Sequence, residues 1–122
     1  MGKILVVDDQ FGVRCLLAEV FQEDQHEVEM ATNGSEALQL YNTFKPDLIL
    51  LDMKMPGMNG IETLEKIRAL DPQVGVIMMT AYGDNQYIEQ AKELGILHFM
   101  SKPFDLFELR ERVQKIFTAS ND

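Results

Sequence analysis

Leu48-Ile49-Leu50-Leu51-Asp52-Met53-Lys54-Met55-Pro56-Gly57-Met58-Asn59-Gly60 is the stretch that decides the fold of this 122-residue chain. Large aliphatics run unbroken into an acid, and a loop rich in Pro, Gly and Asn follows at once. Such a run predicts a strand buried on both faces, as in a parallel sheet covered by helices. Asp52 then stands at the strand's carboxyl end, where open α/β sheets hold their ligands. An acid there could instead cap the next helix. Asn59 and Gly60 lie nearer the expected helix start around Ile61, which leaves Asp52 for chemistry.

Similar runs and amphipathic segments alternate on both sides of it. Ile4-Leu5-Val6-Val7 is closed by Asp8 and Asp9, and Val13, Leu17, Val20 and Phe21 form a helical stripe after it. Glu27–Ala31 alternates as an edge strand with one wetter face would. Asn33-Gly34 opens a helix carrying Ala37, Leu40, Tyr41 and Phe44, which Lys45-Pro46 ends. Ile61, Leu64, Ile67 and Leu70 mark a third helix, stopped at Asp71-Pro72. Residues 74–79 predict another doubly buried strand, ending in Thr80. A polar helix over 84–94 keeps Ile88, Ala91 and Leu94 as its apolar side. Residues 96–101 read as a fifth strand before Lys102-Pro103. The last helix buries Leu106, Leu109, Val113, Ile116 and Phe117, with 118–122 trailing beyond it. Five strands alternating with five helices predict right-handed crossovers and a doubly wound α/β sheet.

The length suits a single domain over 1–122 with one core and no output domain. No run approaches the ~18 apolar residues of a membrane span, and no signal peptide precedes the first strand. The lone Cys15 excludes an internal disulfide and suits a reducing, cytoplasmic setting. A net charge of -9 repels nucleic acid and anionic membranes alike.

In a parallel sheet all carboxyl ends lie along one edge. Asp8, Asp9, Asp52, Thr80 and Lys102 therefore converge there. Carboxylates gathered in this way repel one another and raise one another's pKa, unless a divalent cation sits among them. Hard oxygen ligands select Mg²⁺, with Mn²⁺ as a substitute, and Mg²⁺ leaves room for phosphate oxygens. A lysine and a hydroxyl nearby can steady a phosphoryl oxygen. Taken together, these groups predict phosphoryl transfer to a carboxylate acceptor. Singly each has a plainer reading: Asp9 or Thr80 as a helix cap, Lys102 as a solvated lysine.

With these residues in hand, the chain resembles the receiver domains of two-component response regulators. That family carries an acidic pair after strand 1, a phosphorylated Asp after strand 3, Thr or Ser after strand 4, and Lys-Pro after strand 5. Asp8-Asp9, Asp52, Thr80 and Lys102-Pro103 match all four. The resemblance implies a flavodoxin-like five-stranded sheet of order 2-1-3-4-5. It also implies a signalling protein rather than an enzyme. Asp52 is then the phosphoacceptor, and Asp9, Asp52 and the Lys54 backbone carbonyl ligate the metal, with Asp8 acting through water. Thr80 and Lys102 contact the phosphoryl oxygens, and the Lys102-Pro103 peptide is cis.

The wording Val-Asp-Asp-Gln-Phe-Gly, Met-Thr-Ala-Tyr-Gly and Lys-Pro-Phe-Asp is most similar to the family's single-domain sporulation-phosphorelay branch. Implied partners are a sensor histidine kinase, a histidine phosphotransferase and an aspartyl-phosphate phosphatase, met by a monomer. Their expected docking residues are Gln10, Phe11, Gly12, Val13, Leu16, Tyr82, Pro103 and Phe104. The alternative is a stand-alone chemotaxis-type receiver that binds a target when phosphorylated. One departure concerns the switch of Thr80 with the aromatic three before the lysine. That position is Phe99, with His98 one place off, and a phenylalanine has no hydroxyl to bond the neighbouring loop.

Three rivals fare worse. A haloacid dehalogenase-type enzyme needs its nucleophilic Asp after strand 1 and another two places on, where Gln10 stands. A flavodoxin-type electron carrier needs a phosphate loop after strand 1, and Gln10-Phe11-Gly12-Val13 is not one. A degenerate, purely binding receiver would lack one of the five polar residues.

Overall fold

The computed structural model describes residues 2–81 and 85–120. Five strands, β1 (Lys3–Val7), β2 (Glu27–Ala31), β3 (Leu48–Asp52), β4 (Gly75–Thr80) and β5 (His98–Ser101), alternate with five helices. The helices are α1 (Phe11–Glu23), α2 (Gly34–Phe44), α3 (Gly60–Leu70), α4 (Ile88–Glu93) and α5 (Leu106–Ser120). All strand pairs are parallel, in the order β2-β1-β3-β4-β5.

Strand alternation divides the interior into two cores. Leu5, Val7, Ile49, Leu51, Val76 and Met78 meet Ile61, Leu64, Ile67 and Ala91 of α3 and α4 on one face. Ile4, Val6, Leu48, Leu50, Ile77 and Met79 meet Leu17, Phe21, Leu109 and Val113 of α1 and α5 on the other. Every residue of β3 is buried, which is why its run shows no polar break. β2 lies at an edge, and only Ala31 in it is fully buried.

Local chemistry explains the helix starts. Asn33 and Asn59 accept from the backbone N–H groups of Glu36 and Glu62. Glu62 returns a bond from the Asn59 N–H, completing a capping box. The cap that Asp52 might have supplied is thus filled from the loop. Gly60 has a steric reason to be glycine, since a Cβ there would lie 2.6 Å from the Asp52 carbonyl oxygen.

Four expectations need correction. Leu70 is 52% exposed, because the chain leaves α3 at Asp71 before that side chain can turn under. β5 begins at His98 rather than at 96, and Leu97 before it is exposed. α5 runs to Ser120, past the expected end at Phe117. The fourth helix is shorter than its pattern, with a 3₁₀ turn over Asn85–Tyr87 leading into it; residue 84 lies outside the described residues.

At the sheet edge away from Asp52, Arg68 of α3 donates to four backbone carbonyls. Nε reaches Leu94 at 2.6 Å, Nη1 reaches Val74 at 2.7 Å and Asp71 at 3.3 Å, and Nη2 reaches Gly95 at 3.1 Å. Tyr41 of α2 donates its hydroxyl to the Asp71 carboxylate, which extends this cluster to a third helix.

Candidate functional site

β1, β3, β4 and β5 all end at one edge, and the polar residues stand there in register. Asp52 is the last residue of β3, paired with Met79, and Thr80 ends β4, paired with Ser101. Asp8 and Asp9 follow β1, and Lys102 follows β5. The Asp8 N–H bonds Ala31 O at 3.1 Å and the Lys102 N–H bonds Thr80 O at 2.6 Å, so the ladder itself fixes both residues. The Lys102-Pro103 peptide is cis.

Asp8, Asp52 and Thr80 are buried, whereas Asp9 is exposed. Asp8, Asp9 and Asp52 each offer a carboxylate oxygen, and these oxygens lie within 4.8 Å of one another. Lys102 Nζ enters the group, 2.7 Å from Asp8 Oδ2 and 3.4 Å from Asp52 Oδ1. Burial, then the Asp8 charge, push the Asp52 carboxyl up to about 6, against the pull of Lys102. Burial pulls the Lys102 amine down, but the bond to Asp8 and the charge of Asp52 outweigh it and leave the amine above its ordinary value.

This donor set suits a hard divalent cation. It is built of carboxylate oxygens without thiol or imidazole, as Mg²⁺ prefers. Asp52 is held in repulsion that a cation would relieve.

Around the carboxylates, Gln10 donates its N–H to Asp8 Oδ1 at 2.9 Å, and Arg14 donates to the Asp8 carbonyl at 2.8 Å. Gln10 Oε1 also accepts from Lys102 Nζ at 3.3 Å. Arg14 lay outside the expected site, and only its place one turn into α1 hinted at it. Phe99 is half-buried on the face of β5 that carries Met78 and Thr80 in β4. His98 points to the α5 side, where burial and then the Arg112 charge hold its pKa low.

On the rim, Phe11 is 72% and Leu16 45% exposed, and Gly12 and Pro103 are exposed beside them. Val13 and Phe104 are only half-buried side chains packed against the α1–α5 core. Phe104, expected as an exposed anchor on this rim, is thus half-buried rather than fully exposed. Tyr82 lies outside the described residues.

A family model for the response regulator receiver domain matches residues 4–114. The chain is 50% identical over 113 residues to sporulation initiation phosphotransferase F of Bacillus subtilis, covering 93% of this chain and 91% of that protein. It is 36% identical over 118 residues to chemotaxis protein CheY of Thermotoga maritima, covering 95% and 98%. A solved response regulator receiver domain protein from Clostridium thermocellum superposes with a TM-score of 0.91 at 26% identity, over 99% of this chain and 98% of that one. Among the described residues no helix is long and apolar enough to cross a membrane. Matched along nearly its whole length in sequence and in fold, the chain belongs to the response regulator receiver domain family.

Proposed function

We propose that this receiver accepts a phosphoryl group on Asp52 from a sensor histidine kinase and passes it to a histidine phosphotransferase, as a relay intermediate in sporulation control. The observation that carries the transfer chemistry is the Asp52 carboxylate, buried beside Asp8 and bridged to it by Lys102. The relay role rests on the 50% identity to sporulation initiation phosphotransferase F.

In the forward step an Asp52 oxygen attacks phosphorus in line, the P–N bond to the donor imidazole breaks, and neutral imidazole leaves once protonated. Transfer onward reverses this at a second histidine. Lys102 turns one N–H from Asp52 to a phosphoryl oxygen, and the Thr80 hydroxyl donates to another. Asp9, Asp52 and the Lys54 carbonyl would hold Mg²⁺ directly, with Asp8 through water. Bound there, the cation neutralises charge on the transferring oxygens. Phe99 serves as the aromatic partner of Thr80. Phe11, Gly12, Val13, Leu16 and Pro103 form the rim against which partners dock.

Acetyl phosphate with Mg²⁺ should add one phosphoryl group, and Asp52→Asn should take none. Labelled protein should then pass its phosphoryl group to a histidine phosphotransferase. Undiminished labelling of Asp52→Asn would remove the acceptor. Retention of the label in the presence of the phosphotransferase would favour the chemotaxis-type alternative.

A further inference from the structure

Gln10 holds the N-cap position of α1, yet its side chain makes no capping bond. Glutamine is not among the residues that cap helices well, and an unfilled cap costs a helix about 1 kcal/mol. The side chain is turned to Lys102 instead. An ammonium has three donors. Three acceptors surround this one: Asp8 Oδ2 at 2.7 Å, Gln10 Oε1 at 3.3 Å and Asp52 Oδ1 at 3.4 Å. Two of them change during phosphoryl transfer. Asp52 becomes an acyl phosphate, and Asp8 belongs to the acidic group that a cation would draw on. The Gln10 amide is the acceptor whose charge and bonding stay the same throughout.

We propose that Gln10 is a positioning residue, whose amide oxygen keeps the Lys102 ammonium aimed at the phosphoryl oxygens while the two carboxylates are otherwise engaged. This rests on Asp52 as the acceptor. As the new O–P bond forms and the bond to the leaving group breaks, one Lys102 N–H passes from Asp52 to a phosphoryl oxygen. A second stays on Gln10, and no proton leaves the ammonium. Without that acceptor the ammonium swings toward Asp8, the nearest carboxylate, and away from the reacting phosphorus. A residue that violates the local capping rule at a reactive edge is where such a role is to be sought.

The test uses acetyl phosphate, which is too small to depend on protein docking, so a partner contact by the exposed Gln10 does not enter. Gln10→Leu removes the acceptor, and Gln10→Glu keeps an oxygen in its place. The maximal labelling rate of Gln10→Leu should fall about ten-fold, as expected for losing a hydrogen bond to a charged group, with the half-saturating acetyl phosphate concentration unchanged. Gln10→Glu should restore most of that rate. In a Lys102→Ala background, Gln10→Leu should have no further effect, because the residue it positions is gone. Equal rates for wild type and Gln10→Leu would overturn the proposal, as would a full ten-fold loss in the Lys102→Ala background. A wild type that takes no label would overturn the Asp52 reading and Gln10's role with it. Normal wild-type labelling with an indifferent Gln10→Leu would overturn the role of Gln10 alone.

Discussion

Removing the charge of Asp52 should make the metal-free protein more stable at neutral pH. The folded state holds this carboxyl at about 6 against an ordinary 3.8. Folding therefore strengthens proton binding, and the ionised group opposes folding. The cost is fully present above pH 6, shrinks as pH falls through 6, and vanishes below about 3.8. At pH 7.5 the shift corresponds to about 3 kcal/mol, and at pH 4.5 to about 1 kcal/mol. Asp52→Asn keeps the shape without the charge, so it should gain most of that difference. Urea denaturation in EDTA should show its midpoint raised by about 1 to 2 M at pH 7.5, and by much less at pH 4.5. Saturating Mg²⁺ should narrow the gap, because a ligand of the native wild type stabilises it by mass action. An Asp52→Asn variant less stable than wild type at pH 7.5, or a gain independent of pH, would refute the reasoning.

Asp9→Ala should weaken Mg²⁺ binding at least ten-fold, roughly the value of one charged ligand, without lowering metal-free stability, since Asp9 is exposed and its charge adds to the repulsion on Asp52; isothermal titration and a urea melt check both halves. Gly60→Ala should cost about 1 to 3 kcal/mol and slow labelling by acetyl phosphate, because its Cβ would collide with the backbone of Asp52 and Met53; unchanged stability in a thermal melt would count against that contact. Leu16→Ala should spare labelling by acetyl phosphate while slowing transfer to a histidine phosphotransferase, since the side chain is 45% exposed beside the site; parallel loss of both activities would assign it to the core.

The sheet was legible because β1, β3 and β4 are buried on both faces, and such strands write themselves as unbroken apolar runs. The reactive edge was legible for a related reason: each run stops at its first polar residue, and a parallel sheet brings those stops together. Periodicity failed where tertiary geometry intervened. Leu70 fits the stripe of α3 but falls on its last residue, beyond the reach of the core. The contacts of Gln10 and Arg14 with the carboxylate group were not legible, because neither residue type announces a role beside a buried acid. They depend on how α1 leaves β1, which no local pattern states.

Helix ends ordinarily fray one at a time, since releasing the last turn of one disturbs no other. Arg68 removes that independence. One guanidinium holds carbonyls just past the end of α3, at the end of α4 and at the entrance to β4. Opening any of these segments gives up bonds that the same side chain shares with the others. In hydrogen-exchange terms, residues 69–75 and 92–97 should share one opening free energy rather than two. The edge of the sheet away from the carboxylates is thereby tied together through one side chain, at the opposite end of the strands from Asp52, Thr80 and Lys102.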